Sequence, residues 1–155
     1  MKRLSFFQKI IVLGMSTLIF SLNATAASTA WQAQITNFQT AQSKFVANST
    51  DYPSVLADAK LLKSKELLLS ATNLITEYQK LIKIEITEST LIKEEEKNSF
   101  NTLIDGDISR IETLSNSINR AGSFSDLSSR QTEVNNSWAN IQAHKKYVQG
   151  ILLIR

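Results

Sequence analysis

Residues 61–92 constrain this chain more than any other stretch, because they are apolar at helical spacing and contain neither glycine nor proline. Leu61, Leu68, Ile75 and Ile82 recur at heptad intervals. Leu67, Leu74 and Leu81 recur beside them, with Ala71 and Tyr78 in the half-turns between. On a helix of about 3.6 residues per turn these side chains form one broad stripe, wider than a two-stranded coiled-coil seam. A stripe of that width needs more than one partner helix to cover it.

The rest of the chain supplies candidate partners. A first helix is expected over residues 28–49, where Trp31, Ile35, Phe38, Gln42 and Phe45 alternate steps of four and three. The polar turn that follows holds the only proline, Pro53. Proline is tolerated in the first turn of a helix, so the second helix is expected from Pro53 to about Ile86. Residues 85–90 are rich in β-branched and hydroxyl side chains, and Ser89 or Thr90 could cap a third helix with Glu94, Glu95 and Glu96 in its early turns. That helix is expected over residues 90–120, with Phe100, Ile104, Ile108, Ile111, Leu114 and Ile118 as its stripe. Asp105-Gly106-Asp107 interrupts it, which points to a kink, a close helix contact or a short break.

Gly122 is placed to stop the third helix, and Ser123 with Asp126, or Ser125 alone, to cap the last. Leu127, Gln131, Val134, Trp138, Ile141, Lys145, Val148 and Leu152 then step by four and three throughout. Four amphipathic helices with short connections predict an all-α, antiparallel up-down four-helix bundle. The first helix is the shortest, so the alternative is a three-helix bundle with a mobile first helix.

The start of the chain reads differently. Lys2, Arg3 and Lys9 precede an apolar run over residues 10–22, and Ala24-Thr25-Ala26 has the small-x-small form of a cleavage site. The run is shorter than the ~20 residues a spanning helix needs. Residues 1–26 are therefore expected to be a cleavable signal peptide and residues 27–155 a single helical domain. The expected destination is the periplasm or the extracellular space, and the short basic start resembles a bacterial signal. With no stable membrane span expected after cleavage, the exported domain would be soluble.

Those three basic residues account for the whole formal charge of +3, and the remainder of the chain balances at zero. The basic isoelectric point thus carries no message about nucleic acid, which would require a Lys/Arg stripe with interleaved aromatics. The chain has no cysteine, which excludes disulfides, thiolate metal sites and iron–sulfur clusters.

No constellation for chemistry emerges from spacing. His144 is the only histidine, and position 141 is Ile, so the Glu-x-x-His pair of di-iron bundles is absent. Met1 and Met15 both fall in the expected leader, which removes a Met/His haem. Glu94, Glu95 and Glu96 point in three directions on a helix and cannot converge on one ion. No catalytic, metal or cofactor residue is assigned. Trp31, Phe38, Phe45 and Trp138 remain as a candidate apolar binding surface, or as the lining of an apolar pocket.

Leu127-Ser128-Ser129-Arg130-Gln131 resembles the Leu-Thr-x-x-Gln motif of the small helical periplasmic chaperones of the Spy and CpxP type. The likeness covers five residues in one copy, with Ser in place of Thr. Those chaperones are rich in Met and basic residues, unlike residues 27–155 here. The resemblance implies an exported, all-helical protein that binds unfolded clients. Taken with the missing constellations, the expected function is non-enzymatic binding of another macromolecule, as a periplasmic chaperone or adaptor. The alternative is a carrier of a small apolar ligand within the bundle. Zero net charge and wide stripes also suit a homodimer.

Overall fold

The computed structural model describes residues 28–56 and 59–154, and the expected leader lies outside them. Four helices follow one another: α1 (Thr29–Asp51), α2 (Lys60–Glu88), α3 (Glu94–Arg120) and α4 (Phe124–Ile154). A short 3-10 turn, Tyr52–Ser54, follows α1. The described residues contain no strand. The architecture is the all-α, up-down four-helix bundle that the periodicity predicts.

Cross-helix bonds fix the antiparallel register. Ser28 at the start of α1 donates to the Glu88 carboxylate at the end of α2. Gln34 Nε2 donates to the Glu77 carbonyl at 3.0 Å and to its carboxylate at 2.7 Å. The Tyr52 and Ser64 hydroxyls meet at 3.0 Å at the opposite end. Between α2 and α3, Lys83 donates to both oxygens of Asp105 at 2.6 and 2.8 Å, and Ser115 donates to Thr72 Oγ1 at 2.9 Å. In each pair of helices the partner number falls as the residue number rises.

The width of the α2 stripe has its consequence here. Helix α2 packs against all three other helices, whereas α1 rests mainly on α2, and α4 packs on α2 and α3. Tyr78, Leu81, Ile86, Ile118 and Val134 are fully buried. Each such side chain stabilises the fold by roughly 1.5–3 kcal/mol relative to exposure. The first helix belongs to the bundle, because Phe38, Ala41 and Phe45 are buried against this core. At 23 residues it is the shortest, as the sequence indicates.

The helix boundaries depart from expectation where the chain turns. The second helix starts at Lys60 and not at Pro53. Pro53 lies instead in the first positions of the 3-10 turn, after which Val55 is extended at φ −72° and ψ 133°. The third helix starts at Glu94, because Glu96 Oε2 accepts the Lys93 N–H at 3.2 Å and closes the N-terminus there. Ser89 does not cap the third helix; its backbone N–H ends α2 on the carbonyls of Glu85 and Ile86, and its hydroxyl accepts the Leu91 N–H at 3.2 Å inside the connection.

Asp105-Gly106-Asp107 neither breaks α3 nor marks a close approach at the glycine. The helix runs through it, and a Cβ on Gly106 would meet nothing within 4 Å. Gly122 needs no left-handed conformation, since Ala121 already leaves the helix at φ −57° and ψ 126°. The cap of α4 follows the sequence. Ser123 Oγ accepts the Asp126 N–H, while Asp126 Oδ2 accepts the N–H groups of Gly122 and Ser123 at 3.1 Å each.

Candidate functional site

Tyr78 organises one side of the bundle. Its ring lies 5.7 Å from Phe38 of α1 and 5.6 Å from Trp138 of α4, tilted by about 41–42° in both cases. These are the separations at which aromatic pairs attract beyond simple area burial. Lys145 Nζ sits 5.5 Å above the same ring. The Tyr78 hydroxyl is buried and has no hydrogen-bond partner among the described residues. Burial pushes its phenol well above the ordinary tyrosine range, and the nearby Glu85 charge adds to the shift. Burial likewise raises the Glu85 carboxyl and lowers the Lys145 ammonium, and each of these two charges moderates the shift of the other.

The four aromatic residues singled out in the sequence do not form one surface. Phe38, Phe45 and Trp138 are 5%, 2% and 7% exposed and belong to the core. Trp31 is half-buried. The exposed large apolar groups are others. Leu56, Leu62 and Phe124 are 75%, 60% and 53% exposed, with Val46 less so. All four lie at or near the end of the bundle that holds the α1–α2 and α3–α4 connections. At the other end, Leu91, Leu103 and Tyr147 are exposed, and Tyr147 contacts the Phe100 ring at 5.7 Å.

A second locus lies where α2, α3 and α4 meet. Gln79, one residue past Tyr78, is buried, and both Nε2 and Oε1 of its amide lack partners among the described residues. Asp107 of α3 is also buried. Its Oδ1 lies 3.1 Å from Arg110 Nη1, one turn along the same helix. Its Oδ2 lies 3.3 Å from His144 Nδ1 of α4, without the geometry of a hydrogen bond. A cavity of about 10 Å³ sits beside them, lined by Gln79, Asp107, Arg110, Ser137 and Asn140 and walled by isoleucines of α3 and α4. That is about the room one water needs.

Sequence spacing does not bring this polar seam together, because His144 has no local partner in the sequence and Asp107 belongs to the Asp105-Gly106-Asp107 interruption. The available signal was phase, because Asp107 falls on the α3 stripe between Ile104 and Ile111 and so faces inward. Among the described residues no three His, Asp or Glu side chains converge on a point that could hold a metal ion. No helix among them is long and apolar enough to cross a membrane.

Comparisons with protein-family models, with curated proteins and with solved structures find no match. The likeness to the Spy and CpxP chaperones therefore stays confined to residues 127–131.

Proposed function

We propose that this chain is an exported, non-enzymatic helical bundle that binds another macromolecule, in the manner of a periplasmic chaperone or adaptor. The observation that carries the proposal is the apolar end formed by Leu56, Leu62 and Phe124. Leu56 in the α1–α2 connection, Leu62 in the first turn of α2 and Phe124 at the start of α4 are each exposed at this end, and an end rich in exposed apolar groups is a candidate interaction surface. A partly unfolded polypeptide offers the matching chemistry, namely apolar side chains and no fixed shape. Export rests on the basic start, apolar run and Ala24-Thr25-Ala26 site of the leader. The balanced charge of the remaining chain speaks against nucleic acid. The carrier alternative lacks support, because the rings of Phe38, Tyr78 and Trp138 pack on one another.

The test is suppression of aggregation. Purified protein is added to a thermally unfolding client enzyme and light scattering is followed. The wild type should delay scattering at near-stoichiometric amounts. The triple variant Leu56→Ser, Leu62→Ser, Phe124→Ser should lose most of that effect while keeping its helical circular dichroism. Equal protection by the triple variant, or none by the wild type, would overturn the proposal.

A further inference from the structure

We infer that α4 is a strap that opens as a unit about residues 121–123 while α1, α2 and α3 stay together. The seams between helices differ in how their polar groups are met. Ser28, Gln34, Asn48 and Tyr52, on α1 and its flanks, each bond across to α2. Between α2 and α3, Lys83 bonds to Asp105, Ser115 to Thr72, Asn101 to Thr87 and Lys65 to the Asn119 carbonyl. Against α4 the pattern is reversed. The Tyr78 hydroxyl, both amide atoms of Gln79 and Asp107 Oδ2 are buried without a hydrogen bond among the described residues. Tyr78 packs on Trp138, Gln79 shares a cavity with Ser137 and Asn140, and Asp107 lies beside His144. Burial also disfavours the charged forms of Glu85 and Lys145, which meet at this seam.

Apolar contacts through Leu127, Val134, Trp138, Ile141 and Val148 keep α4 docked. Release gives up that burial, but it returns the stranded groups to water. Each buried hydrogen bond left unmade and then regained in water favours opening by about 5–150-fold. Gly122 and Ser123 are exposed and Ala121 has already left the helix, so the connection can absorb the motion. Opening uncovers the faces of α2 and α3 around Tyr78 and Ile111. The occupant of that groove is an apolar segment of unfolded polypeptide, whose backbone supplies the N–H and C=O partners that the Gln79 amide lacks. This last step rests on the client binding proposed above.

The experiment is native-state hydrogen exchange on the whole protein, read by mass spectrometry. Amides in the middle of α4, over residues 130–142, should exchange together and at least about tenfold faster than those of α2 over residues 68–82. Exchange of α4 at the α2 rate, or fast exchange confined to its last turns, would overturn the opening. A tether then tests the groove. The chain has no cysteine, so Phe100→Cys with Tyr147→Cys, at positions whose native rings lie 5.7 Å apart, can be joined by a short bismaleimide. Against the same variant left unlinked, the linked protein should lose the fast α4 exchange and most of its suppression of client aggregation. Slowed exchange with undiminished suppression would overturn client entry beneath α4. Fast α4 exchange in a protein that suppresses no aggregation in any form would overturn the chaperone function and uphold the opening.

Discussion

Tyr78 and Gln79 are consecutive in α2, both are buried, and both carry polar atoms without partners. They nevertheless face two different kinds of seam. Tyr78 turns toward α1 and α4, where Phe38 and Trp138 sandwich its ring. Its single stranded hydroxyl is a small debit on a large apolar surface. Gln79 turns toward α3 and α4, where its neighbours include Asp107 and a water-sized polar cavity. Both functional atoms of its amide are stranded, and its apolar stem is short. The same helix at the same level is thus held on one side by ring packing and on the other in spite of unmet polarity. Burial alone does not tell a stabilising residue from a costly one.

The largest expected effect tests the aromatic side. Tyr78→Ala should cost about 3–5 kcal/mol, the range for deleting a core aromatic ring, and it should lower the urea midpoint with little change in slope. Tyr78→Phe is the sharper probe. It keeps the ring and removes only the unpartnered hydroxyl, so stability should be unchanged or slightly higher. A loss above about 1 kcal/mol in Tyr78→Phe would show that the hydroxyl is paired in solution, and the contrast with Gln79 would collapse.

On the polar side the sign reverses. Gln79→Leu swaps an unpartnered amide for an apolar group of similar size and should stabilise the protein by about 1–3 kcal/mol in thermal or urea unfolding. Destabilisation would mean that water in the cavity satisfies the amide. Two neighbouring positions should therefore respond in opposite directions to the loss of their side-chain character.

That contrast also explains what the sequence revealed. The aromatic side was legible, because Phe38, Tyr78 and Trp138 all fall on apolar stripes whose period is local to each helix. So were the bundle class and the Ser123–Asp126 cap, which depend on residues a few positions apart. The polar seam was hidden, because Gln79, Asp107 and His144 come from three helices and only the folded register unites them. The starts of α2 and α3 were missed for a related reason. A helix start at Pro53 and caps at Ser89 or Thr90 are plausible one by one, and the competition was decided by Pro53 entering a 3-10 turn and by Glu96 reaching back to Lys93. The apolar end was illegible as well, since exposure of Leu56 and Leu62 depends on where α2 begins.

A smaller effect is expected beneath the polar seam. Gly106 lies mid-helix and exposed, next to buried Asp107, and an added Cβ meets nothing within 4 Å. Gly106→Ala should therefore raise stability by about 1 kcal/mol through helix propensity. A loss instead would show that α3 flexes at Gly106 to seat Asp107, making the seam a strained feature. Thermal unfolding of the single variant decides this.

The smallest effect returns to the aromatic side, where Glu85 and Lys145 flank Tyr78. Burial raises the Glu85 carboxyl above its ordinary value of 4.5 in the folded protein, against the opposing pull of Lys145. The folded state therefore holds the Glu85 proton more tightly than the unfolded state. That contribution to stability is fully present below about pH 4.5 and is lost as pH rises through the folded value. In Glu85→Gln the contribution is absent, so the stability of wild type relative to this variant should fall as pH climbs from about 4.5 and then level off. Asp126 works in the opposite sense, because its capping bonds lower it below 3.8, and stability from that source is lost only in stronger acid. The two windows separate, so urea midpoints measured across the weakly acidic range report Glu85. Lys145→Met in the same series should steepen the fall, since removing the cation leaves the buried carboxylate without its compensating charge. A flat difference between wild type and Glu85→Gln would mean that water reaches this carboxylate, and the aromatic side would then be less dry than the packing of Tyr78 implies.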